Sequence, residues 1–141
     1  MISVAAIILL IVISISDFFN RKIKSTHLIL MAVILLLGWF TQPNWFILPY
    51  TFGIILIGLV LFYFRILAAG DSKLLAVLSL GISPEYLPLT LVGITVVGGV
   101  MAAGYLLYGL CTDLTAVRQR GIPYGVPISV VGGFAIYLSS L

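Results

Sequence analysis

Ala68-Ala69-Gly70-Asp71-Ser72-Lys73-Leu74-Leu75-Ala76-Val77-Leu78-Ser79-Leu80-Gly81-Ile82 decides how many times this chain crosses a membrane. Asp71 and Lys73 stand near its start, and only Leu74 to Ile82 is cleanly apolar, so hydropathy alone leaves it undecided. The charges around it decide. Lys and Arg occupy positions 21, 22, 24, 65, 73, 118 and 120 only. If the stretch crosses, all seven fall around the first, third and fifth connections, and the others hold Glu85 and no basic residue. If it does not, Arg118 and Arg120 change sides. Cytoplasmic connections collect Lys and Arg, so the pattern predicts six crossings, with the odd connections in the cytoplasm and both termini outside.

The remaining spans follow from the need for about 20 apolar residues, range about 17–25, to cross a bilayer core as a helix. They run from Ile2 to Phe19, Ser25 to Phe40, Trp45 to Phe64, Leu87 to Leu110 and Gly121 to Leu141, with a polar loop from Cys111 to Arg120 before the last. Composition excludes a soluble domain. Of 141 residues, 62% are hydrophobic and 8% charged, against about 45–50% and about 25% in soluble domains, and mean hydropathy is +1.30. Eleven charged side chains cannot clothe a globule this small. A cleaved signal peptide is the rival for the first segment, but Met1-Ile2-Ser3 has no basic n-region and no small-x-small site follows. The net charge of +3 is scattered, so no nucleic-acid partner is expected. The lone Cys111 excludes an intrachain disulfide and a multi-cysteine zinc site. With no linker or low-complexity tract, residues 1–141 are expected to form one all-α, polytopic transmembrane domain.

Trp39, Trp45 and Tyr86 fall at the outer connections, where interfacial rings belong. Gly93, Gly98, Gly99, Ala103, Gly104, Gly132 and Gly133 crowd the last two spans, and pairs four apart such as Gly99 and Ala103 are expected to let helices pack closely.

Carboxylates at membrane depth cost about 2.5–3.5 kcal/mol at a helix centre and point to function by default. Asp17 ends the first span and Asp71 begins the fourth, both at the predicted cytoplasmic edge. Two adjacent carboxyls share a proton, because like charge and burial oppose double ionisation. The charged one then draws a proton from water while the protonated one polarises a carbonyl. That is aspartic-protease chemistry, and it needs no metal or cofactor. Gly70 would let a substrate backbone approach Asp71 closely. The structural alternative stands beside this: Asp17 marks a helix end near Arg21, and Asp71 caps the next helix. Lys73 either snorkels to the headgroups or lowers the pKa of a carboxylate. His27 reads as a solvated interface residue, and Ser14, Ser16 and Ser25 lack a companion His other than His27.

Three stretches resemble a known family. Ile15-Ser16-Asp17-Phe18-Phe19-Asn20-Arg21-Lys22-Ile23 is similar to the first catalytic segment of type IV prepilin peptidases. Gly70-Asp71-Ser72-Lys73-Leu74-Leu75-Ala76 resembles their second, the Gly-x-Gly-Asp segment. Ile122-Pro123-Tyr124-Gly125-Val126-Pro127-Ile128 resembles the Pro-Tyr-Gly segment of the small form that serves Flp-type (tight-adherence) pili. The resemblance implies a six-helix aspartic endopeptidase of the prokaryotic cytoplasmic (inner) membrane, with Asp17 and Asp71 as the catalytic pair. Its substrate would be a prepilin, cut between a basic leader and a hydrophobic helix on the cytoplasmic side. Ala68 replaces the first motif Gly, and Lys24 stands where a Pro follows in the family. The cytoplasmic insertion with paired cysteines found in the long bifunctional relatives is missing, so no methyltransferase domain is expected. The alternative class is a non-enzymatic assembly subunit or a small ion-coupled transporter, with Asp17 and Asp71 binding an ion or pairing with Arg21 and Lys73. The almost wholly apolar outer half of the spans argues against transport.

Overall fold

The computed structural model describes residues 1–20 and 22–141, so Arg21 lies outside the described residues. Among the described residues there are seven helices and no strand: α1 (Ile2–Asn20), α2 (Ser25–Thr41), α3 (Ile47–Tyr63), α4 (Ala69–Ser79), α5 (Leu87–Cys111), α6 (Leu114–Arg120) and α7 (Gly125–Ser139). By length and composition, α1 and α5 can each cross a membrane. The pair α6 and α7, bent by 52° at their junction, makes a third candidate if counted as one span. Helices α2 and α3 are apolar but shorter, at 17 residues each. Helix α4 has 11 residues, a rise of about 16 Å, roughly half of a bilayer core.

Helices α1 and α5 each bury one narrow stripe. In α1 the buried residues are Ala6, Leu9, Leu10, Ile13 and Asp17, the three-and-four spacing of one helical face. In α5 they are Leu87, Thr90, Ile94, Gly98 and Gly109, while Leu89, Val92, Val96, Val100 and Leu107 are exposed. Helices that are apolar on the exposed side as well are solvated by lipid rather than water. The chain is a membrane protein.

Helices α4 and α7 form the centre. Helix α4 packs against α2, α3 and α7, and α7 packs against α1, α4 and α5. Small residues make this possible. A Cβ on Gly132 would sit 2.8 Å from Leu78, one on Gly93 2.9 Å from Val131, and one on Gly98 2.9 Å from the Tyr124 ring. Gly99 and Gly104 behave otherwise: a Cβ added to either would meet no other helix within 4 Å among the described residues, so Gly99 closes no helix contact there. The buried stripe of α5 passes through Gly98, which turns Gly99 about 100° away from α7.

The segment expected to be a polar loop before the last span contains α6. Asp113 is its N-cap, accepting the backbone N–H of Thr115 at 3.0 Å and of Ala116 at 3.5 Å. Gly121 stops it with φ +73, a left-handed conformation that favours glycine. Arg118 and Arg120 occupy its last turn, where cations suit the helix dipole. Leu114 and Val117 lie against Gly109 of α5, close enough that a Cβ there would meet them at 3.2–3.3 Å.

Helices α3 and α4 are joined by a buried hydroxyl pair, Thr51 Oγ1 to Ser79 Oγ at 2.8 Å. Ser79 spends its single proton on the Ala76 carbonyl, 2.7 Å away, so Thr51 is the donor. Ser79→Ala therefore strands the Thr51 hydroxyl and costs about 1–3 kcal/mol, whereas Thr51→Val leaves Ser79 satisfied and costs about 1 kcal/mol. Thermal melts in one detergent should order the proteins wild type, Thr51→Val, Ser79→Ala. The reverse order of the two variants would mean that Ser79 donates to Thr51.

The Asp113 carboxyl is held below its usual range by the Thr115 hydroxyl first, then by the N–H groups of Thr115 and Ala116. A depressed folded pKa means that the cap contributes at pH above the ordinary aspartate value, about 3.9, and is lost as pH falls through the lower folded value. In Asp113→Ala, amide hydrogen exchange across residues 114–120 should be faster than in wild type at pH 7. The two should converge as pH falls below the aspartate range.

Candidate active site

Asp17 and Asp71 take positions that the helix period reserves for core residues. Asp17 follows Ile13 by four on the buried face of α1, and Asp71 precedes Leu74 by three on the buried face of α4. Their relative exposures are 5% and 6%, so each is removed from solvent like the leucines beside it. They lie near enough for the charge of one to act on the other. Asp71 is the third residue of α4, and the backbone of its N-cap residue, Ala68, is a hydrogen-bond partner of the carboxyl. This is the reach-back half of a capping box. The capping role and the site position thus coincide in one side chain.

Asp17 is held from the other end of the chain. The backbone N–H of Gly125, the first residue of α7, donates to Asp17 Oδ2 at 2.9 Å. The first N–H groups of a helix have no partner within it and favour negative charge, so α7 offers the carboxylate a neutral donor and the positive end of its dipole. The approach requires glycine. A Cβ at position 125 would lie 2.6 Å from Asp17 Oδ2, 2.8 Å from Cγ and 3.1 Å from Cβ. The residue before it, Tyr124, lays its ring on Gly98 of α5.

Gly70 is half-buried against Ile23, and a Cβ on it would meet the Ile23 side chain at an ordinary 3.5 Å. The three stretches picked out in the sequence therefore touch: Asp17 meets Gly125, and Ile23 meets Gly70. Lys73 is exposed, and two residues of rotation, about 200°, separate it from Asp71. That position turns its side chain to a different face of α4 from Asp71. Glu85 is exposed at the other end of the bundle, and Asp113 serves α6. His27 is half-buried rather than solvated, with Nδ1 buried and unpartnered among the described residues.

An open-sided cavity of about 490 Å³ lies beside Asp71, walled by Ala102 and Ala103 of α5, Tyr124, and Leu114, Val117 and Arg118 of α6. A larger one, about 680 Å³, lies at the opposite end among Met1, Trp39, Asn44 and Ser139 and touches neither carboxylate. Asp71 faces the first of these, and two buried carboxyls within reach of each other's charge can divide a proton between them, one acting as base and the other as acid. Sequence reasoning gave Gly125 no place in the site. The signal available for it was the Pro123-Tyr124-Gly125 segment standing where the last helix begins.

No curated protein and no solved structure matches the chain. A family model does match, over residues 4–103, the model of the type IV leader peptidase family. The matched stretch is well over half of the chain and contains both Asp17 and Asp71. The chain belongs to the type IV leader peptidase family.

Proposed function

We propose that the chain is a prepilin leader peptidase of the Flp type, an aspartic endopeptidase that works at the cytoplasmic face of the inner membrane. The observation that carries this reading is that Asp17 and Asp71, each on a core stripe, lie within reach of each other's charge, with one held by a helix N-terminus. In the proposed topology the chain crosses six times, on α1, α2, α3, α5, α7 and the stretch 68–82 that contains the half-length α4, and both termini are outside. The C-terminal end of α1 and the N-terminal end of α7 share a level through the Asp17–Gly125 bond. Basic residues 22, 24, 65, 73, 118 and 120 flank the ends around that level, as the positive-inside rule asks of a cytoplasmic side. Helix α6, none of whose residues is buried, lies on that face. Residues 1–141 act as one peptidase domain.

In the reaction, the ionised member of the pair takes a proton from a water molecule as its oxygen attacks the scissile carbonyl carbon. The protonated member gives its proton to the carbonyl oxygen. The tetrahedral intermediate then collapses, the C–N bond breaks, and the leaving nitrogen is protonated from the pair. No metal or organic cofactor enters these steps. The substrate, a basic leader joined to a hydrophobic helix, brings its cleavage site to the membrane edge where the carboxylates lie. In the rival reading, a non-enzymatic assembly subunit, the same carboxylates serve only as anchors for α4 and α7.

The test is co-expression with a Flp-type prepilin in a host without other prepilin peptidases, followed by a gel-shift readout of leader removal. Wild type should trim the precursor. Asp17→Asn and Asp71→Asn, at equal membrane levels, should each lose at least 100-fold in rate, within the usual contribution of acid–base groups. Trimming by either Asn variant at the wild-type rate would exclude the pair.

Gly125→Ala makes an independent prediction. Its methyl group must displace the Asp17 carboxyl, so cleavage should fall at least tenfold while the protein still accumulates in the membrane. Combining it with Asp17→Asn should add no further loss, because both changes act on one carboxylate. Wild-type cleavage by Gly125→Ala would show that the methyl group is accommodated without displacing the Asp17 carboxyl from its working position.

A further inference from the structure

A second opening lies on the lipid-facing side of the bundle, away from the cavity beside Asp71. It is a groove of about 450 Å³ between α1 and α7, walled by Ile11, Ser14 and Ile15 on one side and Ser129, Gly133 and Phe134 on the other. Ile11, Ile15 and Phe134 are more than half exposed along its lips. Its floor holds an anomaly. Ser129 is 4% exposed, yet its hydroxyl has no hydrogen-bond partner among the described residues. Other helical hydroxyls of this chain turn back to their own helix: Thr90 bonds to Tyr86, and Thr112 to Tyr108, each at 2.7 Å. The residue one turn before Ser129 is Gly125, the donor to Asp17.

We infer that this groove seats the hydrophobic helix of the precursor, with the Ser129 hydroxyl left open for a polar atom of that helix. The inference rests on the leader-peptidase reading. Three observations select this occupant. First, the groove leads toward Asp17 along the two helices that meet there: Ser14 precedes Asp17 by three residues and Ser129 follows Gly125 by four, so its end is about one helical turn from that carboxylate. Second, it runs along α1 from Ile7 to Ile15, a length of about 12 Å or two turns, enough to seat a stretch of one helix. Third, a buried hydroxyl without a partner is costly at membrane depth, and a lipid chain cannot satisfy it, whereas a polar side chain or a carbonyl of a helix can. A precursor helix lying there and unwinding at the Asp17 end would reach Asp17 within about two extended residues. The groove thereby measures the distance from the top of the substrate helix to the bond that is cut.

The experiment places a photo-crosslinking amino acid at Ile11 or Phe134, in the groove, or at Val100, on the exposed face of α5. Each is carried in the Asp17→Asn background with the Flp-type precursor co-expressed. The precursor should crosslink from positions 11 and 134 and not from 100. In parallel, Ile11→Trp, at an exposed position where it disturbs no core, should raise KM for the full-length precursor at least tenfold with kcat within about twofold of wild type. Ser129→Ala should raise KM several-fold without lowering the melting temperature of the substrate-free protein. A Ser129 with a merely structural role would lower that temperature on substitution. If wild type cuts the precursor but the groove positions crosslink only to lipid or to a second copy of this chain, the groove assignment is overturned and the peptidase reading stands. If wild type cuts no precursor, both fall together.

Discussion

The Gly125 N–H bond to the Asp17 carboxylate joins the start of the last helix to the end of the first, across 108 positions of chain. Much of the architecture can be read from what that bond requires. Helix α7 must begin at position 125, with a residue that has no side chain, and α1 must extend to Asp17 on its inward face. Tyr124 then points into α5, where Gly98 receives it, and further along α7 Gly132 receives Leu78 of α4. The Asp17 carboxylate thus has the positive end of a backbone dipole against it.

The two Asp residues were legible in the sequence because they obey the same period as the apolar residues around them. Positions 6, 10, 13 and 17 form one face of α1, and 71, 74 and 78 one face of α4. A polar residue in register with a core stripe is rare in lipid unless it is used. What pattern alone could not supply was the partner. No local rule links residue 17 to residue 125, and the Gly125 contact is a property of how three helices close on one another. The same limit applies to Ile23 and Gly70, whose contact is tertiary.

Helix α6 was hidden for a different reason. Reading for membrane spans rewards apolar length, and a seven-residue polar helix scores as a loop. Its own signals were present all the same: Asp113 two residues before Thr115, basic residues in the last turn and Gly121 beyond the end. The glycines misled in the opposite direction. Gly99 and Ala103 have the spacing of a packing seam, but spacing does not say which face of a helix is turned inward, and in α5 Gly98 has that place.

The long separation between Asp17 and Gly125 also has a consequence in time. A ribosome adds about 5–20 residues per second, so the 108 positions between the two occupy roughly 5–20 s of synthesis. During that interval α1 is already made and the donor to its carboxylate does not yet exist. A nascent chain halted between α4 and α7 therefore carries both carboxylates without the Gly125 contact to the first of them.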